Sequence, residues 1–466
     1  MELFIPASAR ARRCILPLAL FTMAAHAASH PTVLDRYVAA PDSNYRYSLA
    51  ATIPGKGYTA YILDLTSQKW RSAAEVDHPV WKHWLTIVRP DSVASSTGFL
   101  FINGGSNGSA APERPDPSIV TLATSSGSVA AELSQIPNQP LVFTGDGRKR
   151  SEDAIIAFTW DKFLHGGDGD WPLRLPMTKA AVRALDTITA FSKTPSGGGV
   201  IVDRFVVAGG SKRGWTTWTT AAVDKRIVAI APLVIDMLNV EKSFAHHYRA
   251  YGFWAPAVKD YQDMHLMDEM GSARYRELMK IVEPFSYRDR LTMPKYIVNA
   301  SGDQFFLPDS SQFYWSELRG EKYLRYVPNA NHSLAGTDVQ ESVLAFYDSV
   351  VSGAPRPLLS WKFERDGSIR VVTKTKPTEV KLWQATNPKA RDFRVESIGK
   401  TYKSSPLADR GGGLYSATVE RPSHGYTAFF IELSYPVGGH VMKVTSGVRV
   451  TPDRLPFGPP PHGGTD

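Results

Sequence analysis

Ser211 sits where an apolar run, Phe205-Val206-Val207-Ala208, breaks at Gly209-Gly210-Ser211-Lys212-Arg213-Gly214 and continues into a segment able to form a helix. A serine on a tight strand-to-helix turn has its hydroxyl held clear of the backbone, and the turn demands small residues on either side. Gly209 is one of them. The second is displaced by one, because Arg213 fills the position two after the serine and Gly214 follows it. The chemistry this serves is nucleophilic attack on an acyl carbon, which needs a base and an orienting acid. Asp303, in Ser301-Gly302-Asp303-Gln304, follows the buried-strand pattern Lys295–Ala300; His332, in Asn331-His332-Ser333, follows Leu324-Arg325-Tyr326-Val327. Serine, acid, then histidine is the order in which an α/β-hydrolase chain supplies its triad. In that reading His332 takes the Ser211 proton and returns it to the leaving group, while Asp303 holds the imidazole in one tautomer.

Acyl transfer also needs N–H donors aimed at the negative charge that develops on the carbonyl oxygen. The apolar run Thr97–Ile102 leads into Asn103-Gly104-Gly105-Ser106-Asn107-Gly108, which makes Gly104 and Gly105 the candidate loop donors and the Lys212 amide the other. An ordinary tight turn uses such glycines as well. Glu152-Asp153 is the one early acidic pair that could grip a free amino terminus in a chain-end peptidase; acidic residues in the first turn of a helix are the plainer reading.

The elements that position these residues alternate. Three segments between Tyr45 and about Val88 read as antiparallel strands at a sheet edge. After the strand before Asn103 come a strand at Val129–Leu133, an amphipathic helix at Thr178–Phe191, the strand carrying Ser211, and a buried strand at Val228–Ile235. Strands alternating with helices imply an α/β protein with a mostly parallel sheet covered on both faces. The expected fold is an α/β-hydrolase domain over residues 28–355, with a cap insertion at about 236–290, joined through Ser352–Pro357 to a C-terminal β-sandwich domain over 356–455. The tail 456–466, rich in proline and glycine, reads as disordered.

The cap segment carries His246, His247, Asp263, His265 and Asp268, but their spacing matches no zinc signature, and the histidines read as surface helix residues. The loop His165–Asp170 lacks the length and closing glutamate of a calcium loop. No metal and no cofactor is expected. Trp171, Trp215, Trp254, Phe305, Phe306 and Trp315 give an aromatic density that suits an apolar or sugar-ring substrate and suits a packed core equally well.

Residues 1–27 have the form of a secretory signal peptide: a basic stretch ending Arg12-Arg13, a short apolar run, and Ala25-His26-Ala27 before the cleavage point. The paired arginines also partly fit a twin-arginine signal, so the export route stays open. The expected destination is the periplasm or the exterior. The only cysteine, Cys14, falls in this leader, which leaves the mature chain without thiolate nucleophiles or disulfides and dependent on its apolar core. The net charge of +8 is a modest surplus spread along the chain, with no block of basic and aromatic residues that would bind nucleic acid, and no later stretch is long and apolar enough to span a membrane. A small-molecule, peptide or glycan substrate fits; the oligomeric state is open.

Three stretches carry a family resemblance: Phe205–Trp218 with its Ser-Lys-Arg-Gly-Trp run, Ile230–Asn239, and Asn299–Phe306. Together they resemble the PhoPQ-activated pathogenicity-related proteins, a likeness that covers nearly the whole mature chain. It implies an α/β-hydrolase with a C-terminal β-domain and implies no substrate. A looser resemblance is to glucuronoyl esterases, which also displace the second glycine and place a basic residue directly after the serine. That likeness implies that both the amide and the ammonium of Lys212 face the oxyanion. Two functions follow from the sequence: a secreted serine hydrolase acting on an ester or amide, or a secreted signalling or binding protein on a hydrolase scaffold with little or no catalysis.

Overall fold

A computed structural model describes Met1 and residues 30–460. The expected leader, with Cys14 and cleavage after Ala27, lies outside the described residues apart from Met1, as do residues 461–466 of the expected tail. Met1–Pro31 forms one unit and Thr32–Asp466 a second, compact one, whose architecture is as follows.

Nine strands build the central sheet: β1 (Arg46–Gly55), β2 (Tyr58–Lys69), β3 (Val80–Pro90), β4 (Thr97–Ile102), β5 (Ala130–Leu133), then, past a short hairpin of β6 (Leu141–Val142) and β7 (Lys149–Arg150), β8 (Arg204–Gly210), β9 (Ile227–Leu233), β10 (Lys295–Ala300) and β11 (Lys322–Val327). Their order is β1-β2-β3-β5-β4-β8-β9-β10-β11. The first three strands and the β3–β5 pair run antiparallel; every pair from β5 to β11 is parallel. Burial follows position. All six residues of β10 are buried, as a strand covered on both faces requires, whereas the edge strand β1 alternates between exposed and half-buried residues. Alternate side chains of β8 divide between two cores. Phe205 and Val207 join Trp215 and Leu185 under the helices Arg174–Ser192 and Lys212–Val223; Val206 and Ala208 join Leu122 and Phe346 under the helices Pro117–Ser126 and Val339–Ser352. The order, the parallel run and the helices on both faces are those of the α/β-hydrolase fold expected from the sequence.

The insertion after β9 consists of the helices Val240–Tyr251, Lys259–Asp263 and Ala273–Val282, tied to the body where Tyr261 donates to Asp153 (2.9 Å) and the Trp215 indole N–H donates to the Val282 carbonyl (2.6 Å). His265 is exposed as expected, but the other two histidines depart from expectation. His246 and His247 are buried, not on the surface, because each has a polar partner: His246 Nε2 lies 3.0 Å from both oxygens of the distant Asp309, and His247 Nε2 accepts from the amide of nearby Ala255 at 3.0 Å.

At the C-terminus one antiparallel sheet joins Leu359–Phe363, Ile369–Thr373 and Leu414–Ala417, and a second joins Lys403–Pro406, Glu379–Asn387, Tyr426–Val437, His440–Thr445 and Arg449–Thr451. The two sheets pack as a β-sandwich through Ile369, Val371 and Tyr415 against Phe429, Ile431 and Leu433, and this core is continuous with that of the helix Val339–Ser352. Two polar ties and one aromatic stack reinforce the apolar contact. Arg356 in the connecting segment pairs with Glu321 (2.5 Å), Arg391 Nη2 donates to Asp309 (2.6 Å), and Trp315 stacks on Trp361 with ring centres 5.5 Å apart. The expectation of disorder from Pro456 does not hold for 456–460: the Phe457 amide donates to the Arg249 carbonyl (3.0 Å), its ring lies over Gly252, and Pro460 is buried.

Burial alone would raise the Asp309 carboxyl, but the charges of Arg391 and His246 outweigh it and hold the group well below the usual carboxylate range. Removing one partner of a buried ion pair leaves the other uncompensated. Arg391→Met is therefore expected to destabilise the fold by about 3–5 kcal/mol in denaturant unfolding.

Candidate functional site

Four parallel strands deliver the site at their C-terminal ends. Ser211 follows β8 directly and caps the helix Lys212–Val223 with φ 55° and ψ −123°, a backbone state a non-glycine residue holds only under constraint. The constraint is visible on both sides. The Ser211 amide donates to the Leu233 carbonyl at the end of β9 (2.8 Å), and the helix starts so close to the sheet that a Cβ on Gly214 would stand 2.9 Å from the carbonyl oxygens of Gly209 and Leu233. A Cβ on Gly209 would stand 2.7 Å from the Arg213 carbonyl. The glycine displaced to position 214 thus does the work of the second small residue, and Arg213 is free to point elsewhere.

Asp303 lies just past β10 and His332 just past β11. His332 Nδ1 is 2.8 and 3.0 Å from the two oxygens of Asp303, whose carboxylate also accepts from the Phe305 amide (2.8 Å), while the His332 amide donates to Gln304 (2.9 Å). The rings of Phe305 and Phe306 lie 4.4 and 5.8 Å from the imidazole and fence it. With Nδ1–H donating to a buried carboxylate, Nε2 is the nitrogen left to take a proton. His332 and Ser211 line one cavity of about 480 Å³. Of the other aromatics singled out in the sequence, Trp215 is buried in the core and Trp315 faces the sandwich.

Beneath the two loops lies a residue the sequence did not single out. Asp236, buried just past β9, accepts from the hydroxyls of Tyr314 (2.6 Å) and Tyr326 (2.5 Å), which stand on the Asp303 side and on β11. Burial raises its carboxyl to about 8, against the two tyrosine hydrogen bonds and with help from the charges of Asp303 and Asp309.

Gly104 and Gly105, after β4, are not equivalent. The Gly104 amide donates to the Asn103 side chain (2.7 Å), whereas the Gly105 amide meets no acceptor among the described residues, and neither does the Lys212 amide in the first turn of its helix. The loop is strapped from behind: the Gln135 amide donates to Gly104 O (2.7 Å), and Gln139 Nε2 donates to both Gly105 O (3.1 Å) and Glu152 (2.5 Å). Glu152 is the hub. It adopts φ 53° and ψ −125° at the head of the helix Asp153–Leu164, nearly the backbone state of Ser211. It takes two hydrogen bonds from Arg213 (2.7 and 2.8 Å) and an ion pair from the Lys212 ammonium (2.7 Å). Burial works to raise its carboxyl, but the Arg213 hydrogen bonds and the Lys212 and Arg213 charges hold it at about 2. The Lys212 ammonium, also 3.2 Å from Asp153, is buried between two carboxylates. That placement differs from the oxyanion role implied by the likeness to glucuronoyl esterases, and Glu152 is already neutralised by two cations rather than open to a peptide amine.

Because Asp236 keeps its proton in the folded state up to about pH 8 and loses it near 3.8 when unfolded, its contribution to stability is full below that lower value and fades as pH rises. Between pH 5 and pH 8 the urea midpoint of the wild type is expected to fall relative to that of Asp236→Asn.

The profile of the family described as PhoPQ-activated pathogenicity-related protein matches residues 34–394. Autocrine proliferation repressor protein A of Dictyostelium discoideum is 41% identical over 474 residues, covering 95% of each chain. Among solved structures, acetyl xylan esterase 1 from Thermoanaerobacterium sp. JW/SL YS485 is similar over 68% of this chain and 92% of its own, at 12% identity and a TM-score of 0.48. A glucuronoyl esterase from Solibacter usitatus is similar over 68% and 90%, at 15% identity and a TM-score of 0.39. The profile match and the identity to the Dictyostelium protein show that this chain belongs to the PhoPQ-activated pathogenicity-related protein family.

Proposed function

We propose that the protein is an exported serine hydrolase that cleaves an ester or amide through an acyl-enzyme. Ser211 is the nucleophile, His332 the general base and then general acid, and Asp303 the group that orients and stabilises the imidazolium. The observation that carries the reading is His332, paired with Asp303, sharing a cavity with a serine held at φ 55° between β8 and its helix. In the oxyanion hole the Lys212 amide and the Gly105 amide stabilise the tetrahedral intermediate, and Gly104 supports the loop. The Lys212 ammonium serves as a cross-link to Glu152. Its neutralised acidic pair favours an ester over the free end of a peptide as substrate.

A second reading draws on the name of the Dictyostelium relative, an autocrine proliferation repressor. Under it the chain is a secreted signal carried by a hydrolase scaffold, and the serine need not turn over.

Labelling with a fluorophosphonate probe separates the two. Wild type is expected to label at Ser211, and both Ser211→Ala and His332→Ala to abolish labelling; folded wild type that fails to label would favour the scaffold. Glu152→Gln keeps the shape of the hub and removes its charge. It is expected to lower kcat by roughly tenfold with little change in KM, because the loop bearing Gly105 loses its anchor and only the transition state uses that donor.

A further inference from the structure

The cavity shared by Ser211 and His332 is lined on one flank by Phe99 and Phe101 of β4 with Ile119 and Leu122 of the helix Pro117–Ser126, and on the other by Val339 and Val343 of the helix Val339–Ser352. Its polar lining consists of uncharged hydroxyls and one amide beside His332. None of its lining residues is Asp, Glu, Lys or Arg, and none comes from the insertion at 236–290. Charged cavities exist elsewhere: one beside the His332 loop is lined by Arg325, Asp338, Glu432 and Lys443. The site at the serine differs from it in kind. A charged group brought there would be desolvated without a partner, whereas an alkyl chain would be buried against side chains of its own polarity.

A second observation points the same way. Val234 and Leu334, both of which line the cavity, hold positive φ values of 44° and 53°. A β-branched valine adopts that state only where its surroundings impose it, and here the Val234 amide is drawn to the Val298 carbonyl (2.7 Å). Its Cγ2 lies 4.0 Å from the ideal Cβ position of Gly210, the residue before the nucleophile. The turn after β9 therefore sets an apolar wall directly beside Ser211, and the turn after His332 adds another.

Resting on the serine-hydrolase reading, we propose that this cavity holds the acyl group of the substrate, and that the acyl group is an uncharged apolar chain of several carbons. A volume of about 480 Å³ is ample for such a chain. Ser211 Oγ forms the new bond to the acyl carbon and the ester C–O bond breaks. His332 passes the serine proton to the departing alkoxide, and water, attacking with His332 as base, releases the carboxylic acid and the free serine. The chain stays in the cavity throughout, so its burial acts on both half-reactions.

The test uses the mature protein and 4-nitrophenyl esters from acetate to hexanoate, the 4-nitrophenyl monoester of adipic acid as a charged counterpart, and the inactivation rate with methyl- and hexylphosphonofluoridates. Expected are a rise in kcat/KM of roughly threefold per methylene, a loss of at least about a hundredfold for the terminal carboxylate, and faster inactivation by the hexyl reagent. Val343→Phe, which fills the cavity, should lower the hexanoate-to-acetate ratio by about tenfold, with phosphonate labelling of Ser211 reporting that the variant is folded. Leu122→Phe serves if that variant does not fold. A flat or falling chain-length profile, or acceptance of the adipate monoester, in a protein whose Ser211 still labels would overturn the acyl proposal and leave the hydrolase reading standing. Absence of labelling by either phosphonate in folded wild type removes both.

Discussion

The contact between the end of β8 and the first turn of the helix Lys212–Val223 governs the rest of the site. Three backbone oxygens, those of Gly209, Arg213 and Leu233, crowd into a space that admits no side chain on residues 209 or 214. That crowding forces the positive φ of Ser211, aligns the first free amides of the helix beside it, and leaves Arg213 to turn away from the serine. Placing glycine three residues after the serine rather than two is what makes room for a long cation there. The arginine in turn recruits Glu152, and through Gln139 the same carboxylate braces Gly105. A change of one position in a turn has been converted into a charged scaffold behind the loop that bears Gly105.

Much of the site was legible because it depends on local pattern. Ser211, Asp303 and His332 each follow a run of apolar residues of strand length, and the chain order of the three restricts the folds that bring them together. The parallel strands β8 to β11 were readable for the same reason, since a strand buried on both faces carries a mostly apolar run, here broken only at Arg204, Lys295, Asn299, Lys322 and Arg325. The helix Pro117–Ser126 was not. Its serines and threonines mask the apolar face, although Asp116 at its N-cap, Pro117 after it and Gly127 in the left-handed state beyond it are helix signals. That helix supplies one wall of the cavity at the serine.

What local pattern cannot carry is the partner of a polar residue. His246 looks like a surface histidine until Asp309, 63 residues on, and Arg391, 82 residues beyond Asp309, are placed against it. The Lys212 ammonium looks free to face a substrate until Glu152, far earlier in the chain, is folded beside it. Asp236 reads as one more acid in a loop, and only the convergence of Tyr314 and Tyr326 explains a carboxyl kept from water. In each case burial is determined by a pairing across the fold, which no window of neighbouring residues contains.

The Asp309–Arg391 pair also bears on how such a chain can change by recombination. Asp309 belongs to the loop region after β10 in the α/β domain and Arg391 to the C-terminal sandwich region, and both are buried. A crossover in the connecting segment Ser352–Pro357 would join this α/β domain to a foreign sandwich and leave one of the two charges without its counterpart. The two halves are consequently bound to descend together, and a chimaera becomes tolerable only if the acid and the arginine are exchanged as a set.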